Sequence, residues 1–156
     1  MKASAMPIDA FIGEFISNRR LAHLATADAA GAPSVVPVCY AFDGRHIYSP
    51  LDEKPKAVDP LGLKRARNIA SNPRVSLVFD DYDEDWSKLA YVLVSAVAEI
   101  IEPAGSTAAE HQRAAGLLRE KYHQYRSMAI DKRPIIKVTP VRARMWRATS
   151  EGGQDG

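Results

Sequence analysis

The stretch that decides the fold is Ser34-Val35-Val36-Pro37-Val38-Cys39-Tyr40-Ala41-Phe42-Asp43-Gly44-Arg45-His46-Ile47-Tyr48-Ser49. Val36, Val38, Tyr40 and Phe42 recur with a period of two, so 34–42 reads as a strand with one apolar face. Asp43-Gly44 suits a two-residue hairpin turn, whose central positions need positive φ, and 45–49 should return antiparallel to the first arm. Pro37 sits inside that arm and cannot donate to a ladder. It therefore marks either an edge or bulge, or backbone left free to meet a planar ligand.

Upstream, Ile8, Phe11, Ile12, Phe15 and Ile16 keep helical spacing, with Pro7 suited to a first helical position and Arg19 and Arg20 to a helix end. A strand over 21–26 and a turn at 28–31 follow. Downstream, Asp59-Pro60 reads as an N-cap and first-turn proline, opening a helix that ends near Asn72-Pro73. Strands are expected over 74–80 and 89–102, and Thr107-Ala-Ala-Glu110 has the form of a capping box. His111, Ala114, Ala115, Leu118, Tyr122 and Tyr125 share one face of the helix that follows, where His111 reads as a packed core residue. The last strand, 134–148, contains Pro140, which marks an edge or a bend. Hairpin-joined strands with inserted helices point to an antiparallel barrel or α+β domain rather than a doubly wound parallel sheet.

The 156 residues suit one domain over 1–148, with 149–156 expected as a frayed tail. Lys and Arg total 21 against 19 acids, a balance too even for a nucleic-acid binder that tracks phosphates along its whole surface. Cys39 is the sole cysteine, which removes disulfide frameworks and CxxC sites and suits a reducing, cytoplasmic setting. No apolar run is long enough to span a membrane. The acidic run 80–85 fails as a calcium loop, because Trp86 and Val92 stand where glycine and glutamate are required. The histidines lack zinc-site spacing, and no GxSxG, P-loop or GxGxxG occurs. Trp86 and Trp146 suit either a ligand stack or an interface.

Charge concentrates in 54–68. Lys54, Lys56, Lys64, Arg65 and Arg67 are five bases against the single acid Asp59. Bases near a helix start oppose the helix dipole, and they make sense where an anion such as phosphate completes the site. The alternative is a solvated basic face paired with the acidic loop.

In this order the pieces resemble a known family. LATADAAGAPSVVPVCYAFDGRHIYSPLDEKPK (24–56) and LKRARNIASNPRVSLVFDDYDEDWSKLAYVLVSAVAEI (63–100) are similar to pyridoxamine-phosphate-oxidase-like proteins, and within them to coenzyme F420-dependent oxidoreductases. The resemblance spans about 15–148 and implies a mainly β fold with inserted helices, a six-stranded antiparallel split β-barrel of the FMN-binding type. It further implies a homodimer with cofactor sites between subunits. The cofactor phosphate would be held by Lys54, Lys56, Lys64 and Arg65, with Asn68 nearby. The ring would lie against Val36, Pro37 and Val38 and the strand end Ser49-Pro50. The implied function is hydride transfer between coenzyme F420 and a small molecule. The alternatives are FMN as cofactor or a non-catalytic carrier, and some family members hold haem. Tyr40 and Tyr48 are conceivable proton donors, and neither is assigned. This chain departs from many relatives at Val94-Ser95-Ala96-Val97, where they carry glycine, and at Arg65, where lysine is common. If the bases bind phosphate, alanine at Lys64 or Arg65 should weaken cofactor binding and barely affect folding.

Overall fold

The structure, a computed structural model, describes residues 6–51 and 59–149. Lys54 and Lys56, with the tail beyond Thr149, lie outside the described residues. Helix α1 (Ala10–Ser17) precedes β1 (Ala22–Ala27), β2 (Pro33–Val38), β3 (Ala41–Phe42) and β4 (Ile47–Pro50). Then come α2 (Lys64–Ser71), β5 (Arg74–Asp81), β6 (Ala90–Ile101), α3 (Ala108–Lys121) and β7 (Ile135–Arg147). The seven strands form one antiparallel sheet in the order β2-β1-β5-β6-β7-β4-β3.

Seven strands replace the expected six because the arm 34–42 is two strands. Val38 is the last residue paired with β1, and Ala41 the first paired with β4, so Cys39-Tyr40 carries the chain from one edge of the sheet to the other. Laid flat, seven strands about 4.8 Å apart would put those edges roughly 29 Å from each other. Three Cα steps of 3.8 Å reach about 11 Å. The sheet must curl until its edges meet, and β2 and β3 face each other there without pairing. This is a split barrel.

The barrel interior follows from the register. Val36, Leu24, Leu77 and Val94 form one inward row, with Phe79 and Val92 in the next pairing inward. All belong to or pack on one apolar cluster that also takes Phe15 and Ile16 from α1, Ala66 and Ile69 from α2, and Leu51. A second cluster lies under α3 and holds Tyr48, Ile101, Leu118, Tyr125 and Ile135.

Side chains satisfy the backbone where the strands break. The Tyr122 hydroxyl accepts from Tyr40 N (3.1 Å) and donates to Arg20 O (2.9 Å). Ser49 Oγ donates to Cys39 O at 2.8 Å. Tyr40, fully buried, sets its hydroxyl against the carbonyls of Ile16 and Arg19 and its ring edge-on to Phe79 at 4.9 Å.

Several expectations shift. Helix α1 starts at Ala10 rather than at Pro7, because Asp9 is the N-cap and accepts from Phe11 N (2.9 Å) and Ile12 N (3.4 Å). The capping box does not form. Thr107 Oγ1 bonds the backbone of Glu102, and Glu110 turns to Lys137 and Tyr48 instead. His111 is buried with Nε2 2.6 Å from Arg133 O, as its apolar helix face implies. Pro140 marks a bulge in β7, where the register against β6 slips between Ser95 and Ala96. The pairing of β4 with β7 ends at Val138, so Pro140 lies just beyond it, where no second neighbour needs its missing donor.

Lys121 closes the seam at a cost. Its Nζ is buried without a hydrogen-bond acceptor among the described residues, 3.7 Å from the Tyr40 ring centroid and 5.3 Å from that of Tyr122. Burial, then the nearby Arg20 charge, pull its pKa down from 10.5 to about 8. Below pH 8 the ammonium is charged in both folded and unfolded chains, so the full penalty applies. It is relieved as pH rises from about 8 to about 10.5, where the unfolded chain still binds a proton that the folded one has lost. Lys121→Met should therefore stabilise the fold at pH 7 by about 1–2 kcal/mol, after discounting for partial solvent screening and the lost ring contact. It should also flatten the rise in wild-type stability above pH 8, as measured by denaturant unfolding at neutral and alkaline pH.

Candidate functional site

The basic segment acquires its geometry from the way α2 begins. Asp59 does cap Pro60, but only for one 3-10 turn (Pro60–Gly62), its carboxylate accepting from Leu61 N at 2.9 Å. Leu63 is then extended (ψ 142°), and the α-helix starts afresh at Lys64. Lys64 and Arg65 thus occupy its first two positions behind an N-cap residue with no side-chain acceptor. A cation at this end is electrostatically unfavourable unless an anion joins it.

The late start also sets which bases face outward. Lys64, Arg67, Asn68 and Ser71 share a face at helical spacing and, with Asp28 to Ala30 of the β1–β2 turn, line a groove of about 490 Å³. Lys64 and Arg67 are exposed, whereas Arg65 is only 9% exposed and turns toward the protein. Asp28 adds one negative charge, but its Oδ1 is spent on the amides of Ala30 and Ala32, both at 2.9 Å. Two asparagines fix the helix to the hairpin. Asn68 Nδ2 donates to Thr26 Oγ1 at 3.0 Å, both residues buried, and Asn72 Nδ2 reaches Asp28 O at 3.5 Å. Arg67 was not among the residues singled out by resemblance; its i+3 spacing from Lys64 is the signal that identifies it.

The other expected site residues gather at the seam. Val36 is half-buried and Val38 buried, both facing the core, while Pro37 is exposed on the outer face opposite His23. Ser49 and Pro50 are buried in β4, opposite Ile136 and Ile135. Ser49 touches the segment after Val38 through the carbonyl of Cys39. Among the described residues β2 pairs only with β1, and its other edge has no ladder partner there. Among the described residues the structure brings Lys64, Arg67 and Asn68 to one groove, Val38 to the core that α2 helps to cover, and Ser49 to the seam through the Cys39 carbonyl.

A different set of ionisable groups lies under α3. Tyr48 donates to Glu110 at 2.8 Å, and Lys137 lies 2.8 and 3.0 Å from the two carboxylate oxygens. Burial works against ionisation of Glu110, but the bonds from Lys137 and Tyr48 prevail and hold its pKa below the usual value. Burial, then the bond to Glu110, push the Tyr48 hydroxyl well above the ordinary phenol range. This locks Tyr48 as a structural donor and removes it as a ready proton source near neutral pH. Among the described residues no three metal-ligating side chains converge, and no helix is long and apolar enough to cross a membrane.

Comparison with known proteins agrees with this architecture. The sequence profile described as pyridoxamine 5'-phosphate oxidase matches residues 8–147, and the chain belongs to that family. It is similar in structure to a conserved hypothetical protein from Mycobacterium tuberculosis, with a TM-score of 0.72, 25% identity, and coverage of 100% of this chain and 94% of that one. A haem storage protein from Vibrio cholerae shares the fold at a TM-score of 0.66 and 17% identity over 91% of this chain and 95% of its own. An F420 reductase does so at 0.58 and 23% over 84% and 94%. A search of curated protein sequences finds no match.

The burial difference between neighbouring bases gives a direct test. Arg65→Ala should destabilise the fold by about 1–3 kcal/mol, contrary to the expectation from sequence, because it empties a buried position. Lys64→Ala should stay within about 0.5 kcal/mol, as solvated side chains do. Thermal or urea unfolding of the two variants without added ligand makes the comparison.

Proposed function

We propose that the protein is an oxidoreductase that binds the deazaflavin coenzyme F420 and uses it on a small-molecule substrate. The observation that carries this reading is the uncapped start of α2, with Lys64 and Arg67 on the face of a groove beside the β1–β2 turn. Membership of a family named for an oxidase of a phosphorylated substrate supports it, as does the likeness to an F420 reductase. The residues fit an anionic cofactor: two exposed cations and the first-turn N–H groups of a helix form a donor set of the kind that takes phosphate. Lys64 and Arg67 would hold the phosphate, joined in this reading by Lys54 and Lys56. Asn68 would set the angle of the helix through Thr26. The open edge of β2 at Val36, Pro37 and Val38, closed off by Ser49-Pro50, would take the ring. When bound, the cofactor supplies hydride chemistry; the chain supplies position and charge. FMN is the alternative cofactor, and a carrier role the alternative function.

The proposal includes a homodimer. Register places Pro37, His23, Val78 and Leu93 in one outward row and Val35, Ala25, Ser76 and Ser95 in the next. Val35 is 63% exposed, and beyond these rows Tyr91 stacks on Trp146 with centroids 5.7 Å apart. A second copy laid on this face would bury it and bring the free edge of β2 close to the partner. The unusual Ser95 and Val97 point into the same face, while Val94 and Ala96 point into the core.

Titration with F420 and with FMN tests the cofactor. Lys64→Ala and Arg67→Ala should each weaken the preferred cofactor about tenfold to a hundredfold, the value of one charge-assisted contact, with no loss of folding. Affinity unchanged in both variants would remove the site from this groove. Tight binding without oxidation by any of a panel of enones and quinones would favour the carrier. Sedimentation should give twice the chain mass, and a monomer at micromolar concentration would refute the dimer.

A further inference from the structure

The outward face of α3 carries a glycine that the chain's own packing does not explain. Ala109, Gln112, Arg113, Gly116 and Glu120 are exposed along this face, and Leu117 beside them is half-buried. Gly116 stands in the middle of the 14-residue helix, where glycine is the least favourable residue after proline. Close packing does not require it, because a Cβ built at Gly116 would meet nothing within 4 Å. Gly116 also lines the grooves on both sides of α3, one toward the β3–β4 hairpin and one toward Asp131. Its missing side chain leaves a notch across an otherwise continuous ridge.

Two charges flank the notch symmetrically. Arg113 and Glu120 are exposed, and neither has an ion-pair partner among the described residues. Within α3 no cation stands three or four residues from Glu120. The acid so placed for Arg113, Glu110, is held by Lys137 and Tyr48. Glu120 lies in the last turn, where an acid opposes the helix dipole and gains from an added cation. Seven residues, about 10.5 Å along the axis, separate it from Arg113, so both point the same way. Gly116 and Leu117 lie midway between them.

We propose that α3 is a contact surface for the α3 of a second copy, the two helices running antiparallel about a two-fold axis between Gly116 and Leu117. That symmetry sets Arg113 of each copy beside Glu120 of the other, once at either end of the contact. It also sets Leu117 of each copy over the notch at Gly116 of the other. A two-fold contact must be complementary to itself, and this face is so in charge and in shape. One helix pair buries less area than a permanent interface, so the contact is weak and depends on concentration. It shares no residue with the outward rows of the sheet, and it would join dimers formed there in pairs.

The test is sedimentation equilibrium of the whole chain from micromolar to millimolar concentration. The mass at micromolar concentration reports on the sheet-face dimer, and a rise toward twice that mass reports on α3, so the two readings fail separately. Arg113→Glu and Glu120→Arg each put like charges at both ends of the contact, and each should weaken the association about tenfold. Mixed in equal amounts the two variants should recover it, because only a mixed pair sets unlike charges at both ends. Gly116→Leu suits the helix and fills the notch. It should leave the chain at least as stable to urea and yet weaken the association, which a glycine serving the fold alone would not do. A mass constant up to millimolar concentration, association that persists in both charge variants, a mixture that does not recover it, or undiminished association of Gly116→Leu would each overturn the proposal.

Discussion

Two residues, Cys39 and Tyr40, impose the shape of this protein. They join strands that hold opposite ends of the sheet order, and so short a link forbids any flat arrangement of the seven strands. Once the sheet is curled, its interior admits only inward-facing apolar side chains, and the ends need plugs, which α1 and α2 provide with Phe15, Ile16, Ala66 and Ile69. The same link leaves backbone groups without ladder partners. Their replacements, the Tyr122 hydroxyl and Ser49 Oγ, pull the end of α3 and the end of β4 onto the seam. Closure, helix placement and the free edge of β2 are thus consequences of one constraint.

The arrangement at α2 has its own logic. A helix that began at Pro60, as the sequence suggests, would carry its bases in the second turn, further from the positive end of the dipole. The extended Leu63 moves them to the first turn, where they are least stable alone. Burial of Arg65 resolves part of that conflict by turning one base inward, and Lys64 and Arg67 remain outward beside the groove. Local strain of this kind, kept within an otherwise consistent fold, is where function is expected to sit.

The parts of this fold legible in the sequence were those governed by local chemistry. Asp43-Gly44 marked the β3–β4 turn, although only Gly44 takes positive φ (96°) and the ladder resumes at Ile47 rather than Arg45; the period of two gave the inward face of β2, and His111 was placed by helical spacing. The break at Cys39-Tyr40 was hidden because Val36, Val38 and Tyr40 stay in phase across it; only the change of partner from β1 to β4, a long-range fact, divides the arm. Likewise Thr107 and Glu110 have the residue types of a capping box, but Lys137, 27 positions away, offers Glu110 a stronger partner than a helix-end amide. At the candidate site, Lys64 and Asn68 were legible from composition and resemblance. The exchange of Arg65 for Arg67 on the outer face was not, since it turns on where a helix restarts after one 3-10 turn.

The barrel alone does not select a cofactor. The F420 reductase and the haem storage protein share its shape with this chain at 23% and 17% identity. A phosphate-bearing deazaflavin and a haem differ in charge, in size and in whether a metal ligand is needed, so the discriminating groups must lie on the arms around the seam rather than in the interior row of Val36, Leu24, Leu77 and Val94. In this chain those arms carry cations at the start of α2, and the one histidine of the barrel's outer row, His23, stands within 4.0 Å of Asp80 on the sheet face. Paired bases at a helix start are suited to an anionic group. On a scaffold of this kind the choice of ligand rests with the side chains of the arms, and not with the barrel.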